Sequence, residues 1–201
     1  MKKILAVVGV ISALLLTGCS QVGAAATIGD TKITQATVQA SVDAILAARK
    51  GVDTSQMQIE TGEALNRAQL RFHLITQLLR EVGKELTITV TKAEIDTRRQ
   101  SILTQVGGEA SLPNALVGAG IAPNDLDQYI EAITYSDKIT QAITASGVAQ
   151  DQVSAEIQKL VVAKAKELGV TVNPRYGTWD AENADLVAAD AASSAATPAT
   201  K

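Results

Sequence analysis

Leu65, Ala68, Phe72, Ile75, Leu79, Val82 and Leu86 recur at alternating spacings of three and four residues. That spacing places all seven on one stripe of a helix over about residues 61–86, and such a stripe has to be buried against other helices. Leu70, Leu74 and Leu78 add a second apolar line beside it. A helix this long with two apolar flanks predicts a domain built around it. The material available for packing points the same way. Hydrophobic residues make up 46% of the chain but aromatics only 2%, so the core must come from Leu, Ile, Val and Ala. With one Phe and one Trp, aromatic cages for sugars, bases or quaternary amines are poorly supported.

The rest of the chain reads as shorter pieces around that helix. Ala26-Thr27-Ile28, the turn residues Gly29-Asp30 and the following Thr31-Lys32-Ile33 predict a strand, a turn and a return. Thr34 is a candidate N-cap for a helix reaching about Arg49, with Val38, Val42, Ile45 and Leu46 on one face. Residues 51–60 form a polar connection. Thr91-Lys92-Ala93-Glu94 has the spacing of a capping box, in which threonine and glutamate satisfy each other's orphan amides. It opens a helix that Gly107-Gly108 stops. A shorter helix follows over 111–117. Another starts at Pro123 or Asn124 and runs through Ala145, with Leu126, Ile130, Ile133 and Ile143 on its buried side. Asp151 is expected to cap the last helix, which Gly169 closes. Residues 170–177 are β-prone and are expected to pair with the strand near Thr27. Residues 181–201, rich in Ala, Ser and Thr, have little to bury and read as a disordered tail.

The first 18 residues read differently. Lys2 and Lys3 precede an apolar run over residues 4–16, and small residues follow it. That is the layout of a secretory signal peptide, too short for a membrane span of about 20 residues. Leu16-Thr17-Gly18-Cys19 resembles the lipobox of bacterial lipoproteins. The resemblance implies cleavage after residue 18 and lipidation of Cys19, the chain's single cysteine, leaving residues 19–25 as a lipidated linker. Two or more acyl chains such as diacylglycerol and palmitate hold a protein on a membrane stably, where one does not. Loss of Lys2 and Lys3 with the leader takes the formal charge from −3 to −5. A chain of that charge lacks the concentrated basic face that nucleic acid requires, and the same deficit makes the acyl group its means of membrane attachment.

Several segments together match one family pattern. The stretch Ala26-Thr27-Ile28-Gly29-Asp30-Thr31-Lys32-Ile33-Thr34 resembles the opening of the peptide-binding domain of SurA-type and PrsA-type extracytoplasmic chaperones. Leu78-Leu79-Arg80-Glu81 and the stretch from Leu86 through Thr91-Lys92-Ala93-Glu94-Ile95 are similar to the next two elements of that family. Gly120-Ile121 with Asp125-Leu126 resembles its following helix start, and Val172-Asn173-Pro174-Arg175-Tyr176-Gly177 its closing strand. The resemblance implies a mainly α fold over residues 26–180, a multi-helix SurA N-terminal-like domain with a small β element joining its two ends. One departure matters. Many relatives carry a parvulin prolyl isomerase domain between the last two long helices, whereas Ala145-Ser146-Gly147-Val148-Ala149-Gln150 is a mere turn here. A lone His73 also lacks the paired histidines of a parvulin site, so isomerase activity is not carried over.

Candidate sites are few. His73 has no histidine or free cysteine to pair with and reads as a structural or surface residue rather than a metal ligand or base. Glu94 is explained by its cap. Asn124 reads as an N-cap, while Asp125 and Asp127 read as first-turn helix acids. Arg98-Arg99 reads as a solvated helix face, and Gly107-Gly108 as a helix stop without the strand context of a phosphate loop. Asn173 through Gly177 reads as a turn, with Tyr176 and Trp179 covering the end of the core. The sequence therefore predicts no catalytic, cofactor or metal residue, and Cys19 as the one modified position. The expected protein is a non-enzymatic chaperone-like lipoprotein on the extracytoplasmic face of the cell membrane, binding unfolded or secreted polypeptides through a concave apolar groove. The alternative is an envelope lipoprotein that holds one folded partner.

Overall fold

The computed structural model describes residues 22–189. The expected signal peptide over 1–18, Cys19 and the last residues of the expected tail lie outside that range. Among the described residues the fold is mainly helical, 62% helical with six α-helices, and has a small antiparallel sheet near the termini. The elements run β1 (Ala24–Ile28), β2 (Thr31–Thr34), α1 (Gln35–Arg49), α2 (Gly62–Glu85), α3 (Lys92–Val106), α4 (Leu112–Ala119), α5 (Leu126–Ala145), α6 (Val153–Leu168), β3 (Val170–Val172), β4 (Thr178–Asp180) and β5 (Asp185–Val187).

β1 lies between β2 and β3 and is antiparallel to both, with Thr27 opposite Lys32 on one side and Thr171 on the other. The expected pairing of the two ends of the domain is therefore present. The strand starts earlier than the sequence suggests. Ala24 and Ala25 are buried in it, so the spacer expected over 19–25 gives way at its C-terminal end to packed structure. Alanine's small side chain makes both readings compatible with sequence, and only packing against the helices distinguishes them.

Local signals place the helix starts well. Thr34 caps α1 by accepting a hydrogen bond from the Thr37 amide at 3.0 Å. The capping box at α3 is complete: Thr91 accepts from the Glu94 amide at 3.3 Å, and the Glu94 carboxylate accepts from the Thr91 amide at 2.8 Å. Two starts differ from expectation. Pro123–Asp125 forms a separate 3-10 turn before α5, leaving Asn124 exposed on it, and α6 begins after Gln152 with no side-chain cap from Asp151.

α2 is the central element, packed against α1, α5, α6 and β1. Its buried face is only partly the one that the three-four spacing selects. Leu70, Leu74 and Leu78 are 0% exposed, whereas Ala68, Phe72 and Ile75 are only half-buried. The stripe is therefore half right: Leu65, Leu79 and Val82 are in the core, and its middle faces a surface groove. The core proper joins those leucines to Val38, Ile139, Val161 and the strands. Gly83 lets α5 come close, since a Cβ there would stand 2.5 Å from the Tyr135 ring. Between helices, Arg80 donates to both oxygens of Glu131, at 2.8 and 2.5 Å, and Lys138 reaches Glu94 at 2.5 Å.

The expected tail over 181–201 is overturned for the residues described. Asp185–Val187 pairs with Thr178–Asp180, and Ala184 and Leu186 are buried against the helices. Composition hides this because a single leucine supplies the burial that holds an otherwise polar stretch.

Candidate functional site

Two arrangements stand out, one polar and closed, the other open, with an apolar floor and a polar rim that includes Arg67, Arg71 and Gln158. The first gathers Ser41 of α1, His73 of α2, Asp125 of the 3-10 turn and Gln128 of α5. The Ser41 hydroxyl donates to Asp125 Oδ2 at 2.5 Å and lies 2.9 Å from His73 Nε2. Gln128 Nε2 lies 3.2 Å from His73 Nδ1. One proton assignment satisfies every group: Gln128 donates to Nδ1, Nε2–H donates to Ser41, and Ser41 donates to Asp125. Burial pushes the His73 imidazole below its ordinary pKa; the Asp125 charge opposes that shift and the Arg80 charge adds to it. His73 is therefore neutral at neutral pH, in keeping with that assignment.

Serine, histidine and aspartate together invite comparison with a hydrolytic triad, but the order differs. A triad's aspartate orients the histidine, which takes the serine proton. Here the serine lies between the other two and its proton goes to the aspartate; His73 Nε2 is 4.0 Å from Asp125 Oδ2. Ser41 is 1% exposed and His73 4%. The cluster joins α1 to α2 and to the entrance of α5. His73 is buried and hydrogen-bonded in it, and Asp125, the acid at the start of α5, is also a buried acceptor for Ser41. Nothing in local sequence brings Ser41 and Asp125 together; the packing of the 3-10 turn on α1 does.

The second arrangement is a trough along the flank of α2 beside the fully buried leucines. Its largest part, about 710 Å³, is floored by Phe72, Ile75 and Leu79 of α2, Tyr129, Ala132 and Ile133 of α5, and Ile157 and Val161 of α6. Ala184 and Leu186 form part of its wall. A second part of about 570 Å³ lies between α3, α4 and α5, over Ile102, Leu112, Leu116, Ile121 and Leu126. A third, of about 210 Å³, reaches from Ala68 and Phe72 to Ile121. Tyr129 lines all three, so they meet at one ring. Elsewhere the described surface exposes few large apolar side chains, Val22 and Leu46. The half-buried stripe of α2 is thus open because this trough leaves it open.

The remaining candidates from sequence are accounted for locally. Arg98 pairs with Asp137 and Arg99 with Asp127, tying α3 to α5. The Glu94 carboxyl is held down at about 2 by its bond from Lys138 and by the Thr91 cap. Gly107 caps α3. Asn173 accepts from the Arg175 amide at 3.1 Å, and Tyr176 is buried under that turn. Among the described residues no group of three or more His, Cys, Asp or Glu side chains could hold a metal ion, and no helix is long and apolar enough to cross a membrane. No protein-family model, curated protein or solved structure matches the chain.

Proposed function

We propose that the protein is a chaperone-like lipoprotein, anchored through Cys19 on the extracytoplasmic face of the membrane, that captures apolar segments of unfolded or secreted polypeptides without catalysis. The observation that carries this reading is the trough. Apolar surface left open across three helices stabilises a bound chain by excluding water, and that force has no direction and tolerates many sequences. The anchor rests on the Leu16-Thr17-Gly18-Cys19 motif, and the resemblance to the SurA and PrsA chaperones agrees with both.

Suppressed aggregation of several unrelated unfolded proteins is the expected result for the wild-type chain, with loss of that effect in Phe72→Ala and Ile133→Ala. Saturable binding to one folded partner with no effect on aggregation would instead establish the specific-partner reading. The anchor is tested separately: membrane-extracted protein should carry the mass of a lipidated N-terminal cysteine, and Cys19→Ser should abolish it.

A further inference from the structure

The C-terminal hairpin, β4 and β5, forms one wall of the trough and is built as a separable piece. Each strand has three residues, and a two-stranded hairpin of that size does not stand alone in water. Its loop is internally complete. Asp180 Oδ1 accepts from the amides of Glu182 at 2.9 Å and Asn183 at 3.1 Å, and Oδ2 accepts from Asn183 Nδ2 at 2.7 Å. The polar ties to the helices are few and lie at the surface: Arg71 to Asp185, Lys166 to Glu182 at 2.9 Å, and Gln158 to the Asn183 carbonyl. Exposed ties of this kind contribute little.

What holds the hairpin down is apolar. Ala184 and Leu186 are 3% and 4% exposed, in the same cluster as Leu70, Leu74 and Val161. Ala184 sits there at φ 48, in a left-handed conformation that a non-glycine residue adopts at a cost. The chain enters the hairpin at Gly177, with φ 129 and ψ −159, where a Cβ would stand 2.1 Å from the Val187 carbonyl oxygen. Only glycine fits that close approach, and its freedom makes it the natural pivot.

We infer that the hairpin is an intramolecular strap: Ala184 and Leu186 wall one end of the trough, and an apolar client widens it by displacing them as the hairpin turns outward about Gly177. This rests on the trough's being a polypeptide site, as proposed above. Binding and strap release are then one equilibrium, so loosening the strap tightens binding.

Trp179, the chain's single tryptophan, lies in β4 and packs partly buried against the core; it reports the hairpin directly. The full-length protein in phosphatidylcholine vesicles is titrated with a tryptophan-free peptide rich in Leu and Ile, with a Gly/Ser peptide as control. The expected result is saturable binding of the apolar peptide with a red shift of Trp179 emission. Leu186→Ala, checked for helix content, should bind about tenfold tighter as the competent fraction rises, and Asp185→Asn, which removes only an exposed tie, tighter by no more than about twofold. Binding without a Trp179 shift, and with unchanged affinity in both variants, overturns the strap and leaves the trough. If no peptide binds, the polypeptide reading fails, and hydrogen exchange of the free protein decides the strap alone. Amides of 178–187 should then exchange about a hundredfold faster than those at the centre of α2; protection equal to that of α2 overturns it.

Discussion

Leu74 and Phe72 are two residues apart on α2 and have opposite fates. Leu74 is 0% exposed in the core, whereas Phe72 lies half-buried over the trough. Leu74→Ala should therefore cost about 2–5 kcal/mol of stability in urea denaturation, through lost transfer energy and the cavity it leaves. Phe72→Ala should cost clearly less and act on binding instead. Equal losses in the two variants would contradict this division of the helix. His73 gives a residue-scale pH dependence. Its pKa in the folded state lies below the ordinary 6.5, so as pH falls the unfolded chain takes up the proton first. The associated stability is fully present above about 6.5 and is lost as pH falls from there toward the folded value. Thermal melts should show a decline over that window that His73→Gln reduces. An unchanged slope in the variant would assign the decline to other groups.

At the scale of elements, the caps at Thr34 and Thr91 are legible because both partners of each lie within a few residues, whereas those expected at Asn124 and Asp151 do not form. Thr91 and Glu94 form the expected box, and Thr91→Ala should lower stability by about 1 kcal/mol. That loss is measurable by chemical denaturation, and a neutral result would mean the box is redundant with the Lys138–Glu94 pair. The same pair makes α3 sensitive to acid. With its folded value at about 2 against an ordinary 4.5, Glu94 contributes stability above about 4.5 that disappears as pH falls toward 2. Where no local partner exists the sequence was less informative. The 3-10 turn at Pro123–Asp125 postpones α5 because Asp125 turns inward to Ser41, a residue distant in the chain. The three-four stripe on α2 misleads in its middle for a related reason. Two adjacent apolar lines are equivalent in sequence, and only the positions of α1, α5 and α6 determine which is covered.

At the scale of the whole molecule, the two ends of the domain share one sheet, with β1 at its centre. Ala26 is opposite Ile33 on one side and Val172 on the other, and is 2% exposed. Ala26→Asp would place an unpartnered carboxylate there, and should cost about 3–5 kcal/mol. Hydrogen exchange should then accelerate at 170–172 as well as at 31–34, since both outer strands depend on the middle one. Acceleration confined to 31–34 would show that the C-terminal strand docks independently.

The helical class, the central helix, the caps at Thr34 and Thr91 and the strand pairing of the ends follow from the sequence alone, because periodicity and short-range hydrogen bonds are written in adjacent residues. The motif ending at Cys19 likewise needs no fold to be read. Three features needed the tertiary structure: which face of α2 is covered, the closure of Ser41, His73 and Asp125 into one buried cluster, and the return of Ala184 and Leu186 onto the helices. Each depends on residues far apart in the chain meeting in space, where burial and desolvation act on the assembled surface rather than on any local pattern.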